Sequence, residues 1–117
     1  MAITKLDIQE FYEHFFNQQE IKAADNLIAE NYIQHNPGVP QGRQALQEAF
    51  QERFSTGEYF HLVIDRILID QEYIAVFLRN VDEEGEVKFS VIDLYRTDGL
   101  QLVEHWDYFD FKNTHSI

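Results

Sequence analysis

The chain of 117 residues contains no cysteine, which removes disulfides, thiolate metal sites and cysteine nucleophiles from consideration. Basic residues are scarce: 9 Lys and Arg stand against 21 Asp and Glu, for a net charge of −12. An acidic surface of that size repels phosphate backbones and anionic bilayers, which argues against nucleic-acid binding. The acidity itself reads as a solubility device. No apolar run approaches the length of a membrane span, and residues 1–10 lack the apolar core of a signal peptide. A soluble, cytoplasmic protein without nucleic-acid or membrane partners is the expectation. Glycine-rich phosphate loops and serine-nucleophile motifs are also missing.

What the chain has in quantity is apolar and aromatic residues, 44% and 15%. That suffices for one core in one domain spanning 1–117. Thr4 followed by Asp7 is a helix cap, and Ile8, Phe11, Tyr12, Phe15 and Phe16 then recur at helical spacing, predicting a helix over 4–18. A shorter helix is expected over 20–29. Residues 37–42 hold two prolines and two glycines, so regular structure stops there. A third helix starts near Arg43 and ends at Ser55-Thr56-Gly57, carrying Ala45, Leu46, Ala49, Phe50 and Phe54 inward.

Everything after Gly57 reads as strand: 59–69, 73–81, 87–96 and 102–109, joined by short turns that demand antiparallel neighbours. Helices followed by an antiparallel meander give an α+β fold with helices on one sheet face. Residues 73–79 are apolar on both faces, so the outer face also needs a cover. A second copy of the chain is the economical one, and a homodimer through the outer sheet face is expected.

The stretch Val103-Glu-His-Trp-Asp-Tyr-Phe-Asp110 carries the candidate chemistry. Alternation puts His105, Asp107 and Phe109 on one face and Glu104, Trp106 and Tyr108 on the other. A three-residue loop around a left-handed Gly99 pairs Arg96 with Leu100 and Asp93 with Val103, so Asp93 shares the face of His105. An imidazole between carboxylates is either a hydrogen-bonded core histidine or a general acid/base tuned by them. Gln34, His35 and Asn36, ahead of Pro37, are either turn residues or donors over the pocket mouth that orient a substrate oxygen. Tyr32 reads more as core than as ligand contact, and is kept with Phe109 among the candidate binding residues. His35, His105 and Asp107 could make a two-histidine, one-carboxylate metal set, but no metal-binding spacing supports it; no metal and no cofactor are expected.

The motifs Tyr32-Ile-Gln-His-Asn-Pro37, Val91-Ile-Asp-Leu-Tyr-Arg96, Asp98-Gly99 and Val103-Glu-His-Trp-Asp107 together resemble the SnoaL-like polyketide cyclase family, over roughly residues 6–111. That family belongs to the nuclear-transport-factor-2-like and ketosteroid-isomerase-like superfamily. The resemblance implies a cone of helices over a curved antiparallel sheet (a cystatin-like α+β barrel), a homodimer and a deep apolar pocket. It also implies a cofactor-free aldol-type cyclase or isomerase acting on a small hydrophobic carbonyl compound. On that resemblance Asp107 or Asp93 is the base, His105 its partner, and His35 and Asn36 the oxygen-orienting groups. The fold hosts other activities as well. A non-catalytic small-molecule binding module is the alternative. An epoxide hydrolase-like enzyme is a weaker one, since Gln34 stands where that chemistry uses a tyrosine and no Arg–Asp pair is evident.

Overall fold

A capping box opens the computed structural model, which describes residues 2–35 and 40–111. The Asp7 amide donates to Thr4 Oγ1 at 3.1 Å and the Thr4 amide to Asp7 Oδ2 at 2.8 Å. Two orphan donors are thereby satisfied at the start of α1 (Lys5–Phe11). The helix continues over Tyr12–Asn17 in the wider π form, where the Gln18 amide reaches the Glu13 carbonyl at 2.9 Å. Phe11, Tyr12, Phe15 and Phe16 are all buried along this face. Asn17 then docks the helix end on the sheet. Its side chain donates to the Leu62 carbonyl at 3.0 Å and accepts from the Leu62 amide at 2.8 Å.

The second helix is much shorter than expected. A 3-10 turn, Ile21–Ala23, leads into α2 (Ala24–Leu27), and the chain becomes extended at Ile28. Residues Ile28–Gln34 form a strand, β1, absent from the sequence reading. Its partner residues are 71 to 74 positions away in the chain, and a register irregularity between Ile28 and Ile33 interrupts its alternation, so no local period announces it. The third helix, α3, covers Arg43–Ser55 as expected, with Leu46 and Phe54 buried, although Ala49 faces solvent.

β2 (His61–Asp70), β3 (Tyr73–Val81), β4 (Val87–Thr97) and β5 (Leu102–Phe111) form the antiparallel meander. β1 adds to it in parallel beside β5, giving the order β1-β5-β4-β3-β2. The sheet is therefore mixed rather than wholly antiparallel, and it is curved but unclosed, so it is not a barrel. Three helices lie against its inner face. Ile74, Val76 and Leu78 of β3 meet a ring cluster that includes Phe11, Phe15, Phe16, Phe50, Phe54 and Phe60.

The register between β4 and β5 sets the site. Gly99 has φ +100, the left-handed conformation expected of it. The loop is nevertheless longer than three residues. Asp98 Oδ1 accepts the amides of Leu100 and Gln101 at 2.9 Å each, and pairing resumes as Thr97↔Leu102 and Arg96↔Glu104, with an irregularity between them. Asp93 thus lies opposite Asp107, not Val103. The slip is an even number of residues, so every side chain keeps its expected face.

Candidate functional site

β4 and β5 present Asp93, Tyr95, His105, Asp107 and Phe109 on the inner face, and β1 adds Tyr32 and Gln34 beside them. These residues line a cavity of about 200 Å³ whose other walls are mostly aromatic and aliphatic, including Phe11, Phe16, Phe50, Phe60 and Phe89. The polar groups gather at the closed end. Tyr12, Tyr32, Tyr95, Gln34 and His105 are all buried there. Phe109, 48% exposed, marks the open end.

A continuous hydrogen-bond chain runs through the closed end. Gln34 Oε1 meets His105 Nδ1 at 2.6 Å, and His105 Nε2 meets Asp93 Oδ1 at 2.8 Å. Asp93 Oδ2 accepts from the Tyr12 hydroxyl. Tyr12 has one proton and gives it to the carboxylate, so Tyr95 is the donor in the 2.7 Å contact between the two phenols. Both oxygens of Asp93 are therefore held by protein groups. The Nδ1 proton directed at Gln34 fixes the imidazole orientation, leaving Nε2 and Asp93 to share the other proton. Rings enclose the histidine: Tyr95 at 4.9 Å and Tyr32 at 6.2 Å between centroids.

Burial shapes the acidities. The phenols of Tyr12, Tyr32 and Tyr95 are raised well above the ordinary range, first by desolvation and next by the negative charge of Asp93. They stay protonated, as donors. Tyr12 and Tyr95 spend their protons within the chain, whereas the Tyr32 hydroxyl has no hydrogen-bond partner among the described residues and lines the cavity. Asp107 completes the group. One ligand-type atom from each of Asp93, His105 and Asp107 lies within 4.8 Å of the others. Such a donor set could hold a divalent cation only by giving up the hydrogen bond between His105 and Asp93.

The structure brings together Asp93, His105, Asp107, Tyr32, Gln34 and Phe109 of the residues singled out from sequence. It does not bring in His35. Gln34 pairs with His105 and turns inward, so His35 turns outward. There its ring stacks on Trp106 at 4.6 Å, and Nε2 contacts Glu104 Oε2 at 2.7 Å. Asn36 lies outside the described residues. The sequence reading missed Tyr12, Tyr95 and Arg53. Tyr95 was within reach, because it alternates with Asp93 on one strand face. Tyr12 sat in the apolar helix stripe, where only its hydroxyl distinguished it from its phenylalanine neighbours.

A helical layer on a five-stranded sheet with a polar-floored cavity defines a recognisable class, and the sequence comparison gives the family. A model of the SnoaL-like polyketide cyclases matches residues 6–114, and the chain belongs to that family. Among solved structures it is similar to TsrD from Streptomyces laurentii, with 23% identity, TM-score 0.71 and coverage of 93% of this chain and 92% of that one. An NTF2-like protein of unknown function from Cytophaga hutchinsonii is 18% identical, with TM-score 0.73 and coverage of 94% and 92%. Bal32a, from a soil-derived mobile gene cassette, is 20% identical, with TM-score 0.72 and coverage of 89% and 86%. At these identities the likeness establishes the fold alone. No curated protein matches the sequence significantly.

Proposed function

We propose that the protein is a cofactor-free acid/base enzyme that enolises a small hydrophobic carbonyl compound, as an aldol-type cyclase or an isomerase. The observation that carries this reading is the grouping of Asp93, His105 and Asp107 within 4.8 Å at the polar end of an otherwise apolar cavity. The imidazole is held there between Gln34 and Asp93, with Asp107 beside it on the same face. Asp107, on the same inner face beside His105, is the base in this scheme. The substrate's α-proton passes to the Asp107 carboxylate, and the C–H electron pair moves onto the carbonyl oxygen. The Tyr32 hydroxyl, protonated and without a partner among the described residues, supplies the hydrogen bond that the enolate oxygen needs, the role expected from sequence for His35 and Asn36. The Asp107 carboxylic acid then returns the proton to the product, while His105, held at Nδ1 by Gln34 and at Nε2 by Asp93, orders the polar end of the cavity. The enolate carbon either attacks a second carbonyl or is reprotonated elsewhere.

The test does not require the physiological substrate. Incubating the protein in D₂O with a small aromatic ketone such as 4-phenyl-2-butanone and following α-deuteration by NMR reads enolisation directly. Asp107→Asn is expected to slow exchange by about 10²- to 10⁴-fold, the usual contribution of a positioned base. Unchanged exchange in that variant would remove Asp107 from the role. Absence of exchange above the buffer rate would favour the other reading, a non-catalytic binding module. That reading draws support from the full commitment of Asp93, which suits a static hydrogen-bonding anchor. The homodimer through the outer sheet face remains part of the proposal, supported by the half-buried Ala75, Phe77, Ile92, Leu94 and Trp106 beside the exposed Leu68, Tyr73 and Tyr108.

A further inference from the structure

The cavity has one cation in its lining, Arg53, at the end away from the acid/base group. Its guanidinium carbon sits 4.9 Å from the centroid of Phe60, which holds the side chain on the cavity lip. The residue is exposed, like Phe109, so it marks the open end. In a chain with 21 acidic residues, Arg53 and Arg66 form no ion pair among the described residues, whereas Arg43, Arg79 and Arg96 each do, and of the two only Arg53 lines the cavity. The guanidinium fork is thus available to an anion, and a carboxylate is the planar group that matches it.

The sheet supplies the measure. Asp93 and Phe89 both line the cavity and are four residues apart on β4, about 13 Å at 3.3 Å per residue. Phe89 lies in the row of Asn80 and Leu62, and Phe60, beneath Arg53, is two residues before Leu62. The cavity between these ends has a volume of about 200 Å³. A site of that length suits an elongated molecule reaching from Asp93 to the lip. Charge also fixes the direction of entry. A carboxylate placed inward would meet Asp93 and Asp107, whereas one left at the lip meets Arg53.

We propose that the site takes carbonyl compounds carrying a carboxylate at the opposite end of a slender apolar chain or single ring, with Arg53 as the residue that selects the acid. This rests on the enolising role of the inner end for its chemistry, but the carboxylate preference is measurable without turnover. Decanoate and methyl decanoate serve as unreactive probes, titrated by NMR below their micellar concentrations. The native protein is expected to bind decanoate at least about tenfold tighter than the ester, as a charge-assisted bidentate pair would give. Arg53→Gln is expected to abolish that preference while leaving ester binding in place, and Arg53→Lys to keep part of it. Equal affinity for acid and ester in the native protein would overturn the proposal, as would a preference that survives in Arg53→Gln. Asp107→Asn separates the two readings: it is expected to retain the acid preference. A preference that depends on Arg53, in a protein without ketone exchange, would sustain this inference and sink the enolising one.

Discussion

β5 carries a histidine system on each of its faces, and the two differ in burial. On the outer face Glu104 receives the Arg96 guanidinium at 2.8 Å and the His35 ring at 2.7 Å, while His35 lies flat on Trp106. One carboxylate there has a permanent cation, and its acidity is strengthened first by the Arg96 hydrogen bond and then by that from His35. On the inner face His105 bonds to Asp93 and Gln34, with Asp107 beside it and three buried phenols around the group. The outer set is neutralised and wet, and such pairs contribute little beyond local order. The inner histidine is the more buried, 8% exposed against 40% for His35. Chemistry is expected on the inner face, where the polar groups border an apolar cavity.

The largest expected difference is in stability. Asp93→Ala strips partners from His105 and Tyr12 together and is expected to cost about 3–5 kcal/mol in urea denaturation, the range for breaking a buried pair. A cost below that of the outer-face substitution considered last would erase the contrast.

Alkali provides the next largest effect. Tyr12, Tyr32 and Tyr95 have phenols raised by burial, so above about pH 10 the unfolded chain loses protons that the folded one keeps. Stability is then full below that point and falls as pH rises, by up to about 1.4 kcal/mol per pH unit for each tyrosine. Spectroscopic titration should find these three phenols silent until the protein unfolds. Reversible ionisation of all six tyrosines in the folded state would contradict the assigned burial.

The smallest effect belongs to the outer face. Glu104→Gln is expected to change stability by less than about 1 kcal/mol in the monomer. If a second copy covers this face, Trp106→Glu should instead halve the mass seen by sedimentation. A native protein that already sediments as a monomer would remove the dimer from the proposal.

Much of this was legible because alternation along a strand is a local rule. His105, Asp107 and Phe109 share a face whatever the fold, and Asp93 joined them through an even register, even though the loop at Asp98–Gln101 is longer than a three-residue turn. The capping box at Thr4 and the stop of α3 were legible for the same reason. His35 was misjudged because its facing depends on β1, a parallel edge strand whose partner residues lie 71 to 74 positions downstream. Proximity to Gln34 in sequence suggested a common role. Alternation in a strand that was not anticipated sent the two to opposite faces.

By itself, then, the sequence determined α1, α3, the four strands of the meander, the α+β layering and the face of each residue on β4 and β5, since these follow from periods of two or about four residues and from turn chemistry. Tertiary structure decided which faces meet. Closing β1 onto β5 put Gln34 against His105, and packing α1 over the sheet brought the Tyr12 hydroxyl to Asp93, 81 residues away. It also set Arg53 on the lip. Contacts between residues so distant along the chain carry no local period. They are fixed only when the core closes and buried polar groups must find partners.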